Sequence, residues 1–256
     1  MCYNSFIAGG QKVDLYTYDA IDVPEGVQLR CADEVISRDA IFRTLDSWSP
    51  FSNLFRYSLL HKLGGWWIDS DVYYNHKIIP KADFIFAEQE KGVVNTGQLK
   101  FPKGHPVLFD AIGRFQKFDT AKIRWSETGP LLLTATLRDH RLDKKGVPTE
   151  TLYPIHWLET YKFWFPEFAY YIEHRTRRSP FIHLWTSRFA RFGIDVDRER
   201  PLPFSFMDKI YRRAGVYEKY QLFIQDVEHI KRKTNKYLNS WGHYREAPYS
   251  LDLPPP

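Results

Sequence analysis

Apolar residues recur every four positions at Phe51, Phe55, Leu59 and Leu63, the spacing that gathers them on one face of a helix. Ser49 suits the cap of that helix, and Pro50 its first position, where the missing N–H costs no hydrogen bond. Gly64 supplies a left-handed stop and Gly65 room for a close turn. Trp66, Trp67 and Ile68 then form a short apolar strand that runs into Asp69-Ser70-Asp71. Side chains two apart on a strand share a face. Asp69 and Asp71 are therefore predicted to project together from the strand's end.

The same reading covers the rest of the chain. Met1–Gly10 reads as the end of a helix, Lys12–Tyr18 as a strand closed by Asp19, and VQLR at 27–30 as another. Asp83–Ala87 reads as a short buried strand, and Gly92–Phe101 as a strand interrupted at Asn95-Thr96-Gly97. Gly104-His105-Pro106 starts a helix through about Phe118, and Thr128-Gly129-Pro130 opens another with Thr128 at its cap. Thr151–Pro154 and Phe181–Trp185 read as strands, and Pro201–Ala214 ends in a helix. Val216–Leu238 is amphipathic at helical spacing, and the final PPP reads as a disordered tail. Strands alternating with helices predict an α/β fold with a mostly parallel central sheet, its site at the strand C-terminal ends. Residues 1–215 are expected to form the main domain and 216–256 a C-terminal helical extension and tail.

Two carboxylates held side by side repel, and a divalent cation relieves that repulsion. Carboxylates, phosphate oxygens and water are the ligands Mg²⁺ or Mn²⁺ prefers, which leaves open positions for a phosphorylated substrate. A bare Asp-x-Asp is common in surface loops; here it follows a helix, a Gly-Gly turn and an apolar strand.

The run S-N-L-F-R-Y-x-L-L-x-K-x-G-G-W-W-I-D-S-D-V resembles the core of the DXD-motif glycosyltransferases, the sugar-binding region shared by α-1,4-galactosyltransferases, a yeast α-1,6-mannosyltransferase and bacterial surface-polysaccharide enzymes. Asn53 stands where that family usually has Asp. The likeness extends to the segment ending A-D-E-V, to T-G-P at 128–130 and to H-L-W at 183–185. It implies the nucleotide-diphospho-sugar transferase fold known as GT-A. The family usually has an additional first strand, so this strand is expected to be missing or truncated here.

The resemblance implies Asp69 and Asp71 as catalytic residues and as ligands of Mn²⁺ or Mg²⁺, with His183 completing the metal site or sitting as a core histidine. It implies donor contacts from Asn53, Arg56, Trp67, Asn95, Thr128, Gly129 and Trp185. For Asn95 a strand bulge beside Gly97, and for Trp67 simple core packing, stay open; Thr128 is in any case expected to cap its helix. The implied activity is retaining transfer of a hexose from a UDP- or GDP-sugar donor to a glycan or glycolipid acceptor, in surface-polysaccharide or lipopolysaccharide synthesis. A catalytically inactive nucleotide-sugar binder or scaffold is the alternative. A metal-dependent phosphohydrolase lacks its further His/Asp motifs here, and a two-carboxylate glycosidase needs its acids on opposite sides of the scissile bond.

Aromatics make up 17% of the chain and read mostly as core. The net charge of +5 is mild, no nucleic-acid motif is present, and RTRR at 175–178 and KRK at 231–233 are the local concentrations. Such runs read first as solvated faces and second as a peripheral contact with anionic lipid or an acidic acceptor. Cys2 and Cys31 read as reduced thiols. With no signal peptide or membrane span in the sequence, a cytoplasmic location is expected, with a peripheral place at the inner face of the membrane as its variant.

Overall fold

The computed structural model describes residues 1–44, 47–224 and 227–240. In chain order its elements begin with α1 (Cys2–Ala8), β1 (Val13–Thr17), β2 (Val27–Cys31), α2 (Ser49–Leu63), β3 (Gly65–Ile68), β4 (Val72–Tyr74), β5 (Glu88–Glu90), β6 (Val93–Val94) and β7 (Gln98–Phe101). Then follow α3 (Pro106–Phe115), α4 (Leu132–Asp139), α5 (Thr149–Leu152), α6 (Ala169–Thr176), β8 (Phe181–His183), α7 (Thr186–Phe189), β9 (Glu199–Arg200), α8 (Phe206–Arg213), α9 (Val216–Lys219), β10 (Phe223–Ile224) and α10 (Val227–Ser240). This is a mixed α/β chain, as the alternation of patterns predicted. Its ladders among the described residues are two-stranded: β1–β2 and β9–β10 are parallel, while β3–β7, β4–β8 and β5–β6 are antiparallel. β3, expected to belong to a mostly parallel central sheet, therefore has an antiparallel partner.

The chain divides into two compact units. One comprises Gly10–Asp69 and Ile79–Leu152; the other comprises Met1–Gly9, Ser70–Ile78 and the described part of Tyr153–Pro256. The predicted extension at 216–256 falls within the latter unit, and its PPP tail lies outside the described residues.

In the first of these units α2 is the organising helix. It buries Phe51 and Phe55 with Ala32 on one side, and Tyr57 and Leu60 on another, among Leu99, Phe101, Val107, Leu108 and Leu133. Leu59 is only partly buried and Leu63 is half exposed, so the four-residue stripe fades along the helix. Ser49 is not the cap: it lies inside the helix behind Trp48, and its N–H donates instead to Ser47 Oγ at 3.2 Å. Gly64 ends the helix at φ 72°, with its N–H on Leu60 O at 2.8 Å. A Cβ there would lie 2.6 Å from the Lys103 backbone N, so both conformation and space call for glycine.

Three further expectations are corrected. Thr151–Pro154 is no strand; Thr149–Leu152 forms a turn of helix started by Pro148. Thr128 does not cap a helix: Glu127–Leu131 is a π-type turn broken at Gly129 (φ −103°, ψ −108°), and α4 begins only at Leu132. The amphipathic stretch after Val216 is not one helix, because β10 interrupts it to pair with β9.

The second unit packs Phe163, Trp164, Ile172, Ile182, Leu184, Phe189 and Met207 into its own core. Asp208, 2% exposed in the first turn of α8, accepts from Tyr217 Oη at 2.7 Å, Arg212 Nε at 3.0 Å and the Phe204 N–H at 3.1 Å. Burial alone would raise its pKa, but these donors outweigh it and hold the carboxyl below its ordinary 3.8. A depressed pKa adds stability that is complete above the unfolded value and lost as pH falls through the folded one. Asp208→Asn is expected to cost about 1–3 kcal/mol in urea unfolding at neutral pH, a deficit that shrinks as pH falls below the ordinary carboxylate range and through the depressed folded value.

Among the described residues no helix is long and apolar enough to cross a membrane.

Candidate functional site

The polar core of α2 faces the end of β3. Arg56, 6% exposed, donates to Asp69 Oδ1 at 3.1 Å, to Ser52 Oγ at 3.3 Å and to Thr96 Oγ1, and its guanidinium lies over the Trp67 ring at 5.1 Å from the centroid. Trp67 Nε1 donates to the same carboxylate oxygen at 2.7 Å. The Asp69 N–H donates to Gly97 O at 2.8 Å, which ties this end of β3 to the loop before β7. Asp69 is thus held by a cation, an indole and the backbone.

One turn earlier on α2, Asn53 is 5% exposed and its Nδ2 lies 3.4 Å from Thr128 Oγ1. Tyr57 Oη donates to both Thr128 O and Gly129 O at 3.1 Å. A Cβ on Gly129 would lie 2.8 Å from Asn53 Nδ2, so this glycine is what lets the turn close on the amide. Asn95 does not join them. Its Oδ1 accepts from the Gly97 N–H at 2.6 Å and its Nδ2 bonds Gln89, a local turn of the kind the bulge alternative described.

In the other unit Asp71 forms a second cluster. His183 Nε2 lies 3.0 Å from Asp71 Oδ1, while Thr186 donates to Oδ2 from its N–H at 2.9 Å and from Oγ1 at 3.0 Å. The Asp71 carboxyl would be pushed up by its burial, but the His183 ring and the two Thr186 donors outweigh that and hold it well below the ordinary carboxylate range. Pairing brings these groups together: β4 runs antiparallel to β8 with Val72 opposite His183, and the Leu184 N–H donates to Asp71 O at 3.0 Å. Trp185 stacks on His183 at 3.9 Å between centroids and 17° between planes. It takes the left-handed conformation (φ 53°, ψ 46°), uncommon for a bulky residue, and its Nε1 donates to Ile155 O at 3.1 Å. That fixes the ring against the histidine.

Contrary to the prediction, Asp69 and Asp71 do not share one strand end. β3 stops at Ile68, the chain turns at Ser70–Asp71, and β4 begins at Val72 with a different partner. What keeps the carboxylates together is covalent: with one residue between them, their Cα atoms lie within about 7 Å of each other. Asp71 and His183, both in the second unit, could hold a metal ion, with Asp69 a further acid two residues away along the chain. Two carboxylates and an imidazole are ligands for a divalent cation, and Thr186 supplies the outer hydrogen bonds that orient a ligating carboxylate.

Sequence reasoning missed Thr186, Thr96 and Tyr57. Thr186 follows directly on H-L-W as the first residue of α7, a place that carries no signal of its own until β8 is laid against β4. Thr96 and Tyr57 act through contacts 40 and 71 residues away, which no local pattern announces. No family model, no curated protein and no solved structure matches the chain.

Two substitutions separate the roles of these residues. Arg56→Lys keeps the charge but loses the planar fork; it is expected to lower stability by about 2–3 kcal/mol in denaturant unfolding. Thr186→Val removes one of the two donors on Asp71 Oδ2. It is expected to weaken any divalent-cation binding by about tenfold in calorimetric titration, with little change in melting temperature.

Proposed function

We propose that the chain is a metal-dependent glycosyltransferase of the GT-A type that moves a hexose, with retention, from a UDP- or GDP-sugar to a glycan or glycolipid acceptor. The observation that carries this reading is the anchoring of both acidic residues of the D-S-D motif: Asp69 by Arg56 and Trp67, Asp71 by His183 and Thr186. Acidic residues so thoroughly oriented are suited to a ligand rather than to solvent.

In this reading Asp71, His183 and Asp69 hold Mn²⁺ or Mg²⁺. The bound ion would neutralise the donor diphosphate as its bond to the sugar breaks. Arg56 is buried and already bonded to Asp69, so it acts as a positioning residue that keeps the carboxylate aimed. Trp67 couples the same carboxylate to an aromatic face. Asn53, Thr128 and Gly129 form a buried polar corner suited to sugar hydroxyls, with the Asn53 amide offering both a donor and an acceptor. Trp185, fixed on His183, presents a rigid face for a sugar or nucleoside. Asn95 supports the turn beside Asp69's backbone partner Gly97. Activated sugars are made in the cytoplasm, and the proposal places the protein there, serving the synthesis of surface polysaccharide or lipopolysaccharide.

The test is nucleotide release from a panel of UDP- and GDP-hexoses, with Mn²⁺ or with EDTA, beside Asp71→Ala. Slow hydrolysis of one donor is expected, abolished by EDTA and reduced at least about a hundredfold by the substitution. Silence across the whole panel with Mn²⁺ present would overturn the transferase reading. A donor-induced rise in melting temperature without release would replace it with an inactive sugar-nucleotide binder.

A further inference from the structure

The excess positive charge is not spread over the chain. The unit made of Gly10–Asp69 and Ile79–Leu152 contains 18 basic and 18 acidic residues; the other contains 18 basic and 13 acidic, and so carries the whole net charge of +5. Part of that excess lies on α10. This helix turns Ile230 and Thr234 inward, with Tyr237 and Leu238 packed against the core, and leaves Lys231, Arg232, Lys233 and Lys236 exposed. Over 14 residues it is about 21 Å long. The stem of Lys233 lies against Gly193, beside the exposed Arg191.

Carboxylates are present as well, and they are largely matched. Glu228 meets Lys231 at 3.1 Å, and Asp195 lies 3.9 Å from Arg198. Asp197, also exposed, is the further acid of that loop. Arg191, Lys233 and Lys236 make no ion pair among the described residues.

Just before this helix come two large exposed side chains, Tyr220 (63%) and Phe223 (72%). Phe223 is fixed where it is: its N–H donates to Arg198 O at 2.7 Å, and it pairs with Glu199 across the β9–β10 ladder. A phenylalanine anchored by its backbone, three-quarters in water and four residues before a basic helix is a poor solvated surface. It is a good membrane-interface surface, where an aromatic ring sits at headgroup level and Lys and Arg meet anionic phosphate.

We propose that α10 and the strand before it form a peripheral docking surface for anionic phospholipid, with Arg191, Lys233 and Lys236 as the electrostatic contacts and Phe223 and Tyr220 entering the interface. The buried stripe of α10 stays in the protein core, so docking exposes no new apolar face. This surface involves none of the residues assigned to donor or metal, and its test is independent of the activity.

The full chain would be sedimented with vesicles of phosphatidylcholine alone and with vesicles containing about one third phosphatidylglycerol, at low and high salt. Binding is expected only to the anionic vesicles and is expected to fall steeply with salt. The double substitution Lys233→Gln with Lys236→Gln should weaken it by at least about tenfold, and Phe223→Ser by several-fold, each with an unchanged melting temperature. Equal binding to neutral vesicles, no binding, or wild-type binding by the double variant would overturn the proposal. Salt-sensitive retention on heparin without vesicle binding would overturn it in favour of an acidic polymer.

Discussion

The guanidinium of Arg56 is the constraint on which the unit carrying Asp69 depends. A cation this far from water is tolerated only if its charge is met and most of its N–H groups find acceptors. Asp69 meets the charge, Ser52 and Thr96 take further donors from the two terminal nitrogens, Trp67 covers the plane, and Nε is left buried without a hydrogen bond among the described residues. Those partners come from α2, from β3 and its end, and from the loop before β7. Satisfying one side chain therefore sets the position of three segments. Leucine at 56 would be easier to bury but would leave the Asp69 carboxylate with Trp67 Nε1 alone among these side chains. The segment that carries Asp69 is thus held by the same bond that holds the fold.

Much of this was legible in local sequence, and the limit of legibility is physical. Period-four apolar residues, the Gly64 stop and the apolar run at Trp66–Ile68 are set by neighbours a few residues away, and α2 and β3 appear where they were read. The cap was misjudged at Ser49 because Ser47, two residues earlier, offers its hydroxyl to the Ser49 N–H. Thr151–Pro154 was misread as a strand because β-branched and aromatic residues favour extended backbone, whereas Pro148 had already begun a helical turn. The pairing of β3 with β7 and of β4 with β8 joins segments 30 to 111 residues apart, and nothing in the period-2 pattern specifies direction.

The same distinction runs through the site. Asp69, Asp71, Arg56 and His183 were readable because they sit in a motif. Thr186 was not, although it engages Asp71 Oδ2 twice, because threonine after H-L-W carries no signal of its own until β8 is laid against β4. Trp185 shows the reverse. Its aromatic character was readable, but its left-handed backbone and its stack on His183 are consequences of the turn from β8 into α7 and become visible only in three dimensions.

Asn53 follows from the constraint at Arg56. Residues 53 and 56 are three apart on α2 and so neighbour each other on the helix surface. Asp69 already supplies the carboxylate that Arg56 requires. A second carboxylate at 53, in a position 5% exposed, would share one cation with Asp69 and would bring a charge against the Thr128 hydroxyl and the Gly129 turn. Burying such a charge is costly unless it is paired. An amide has the same shape, carries no charge, and can both donate to Thr128 and accept from a hydroxyl. The residue that departs from the familiar motif is the one this arrangement of Arg56, Asp69 and Thr128 accommodates at least cost, and it leaves the corner polar and neutral.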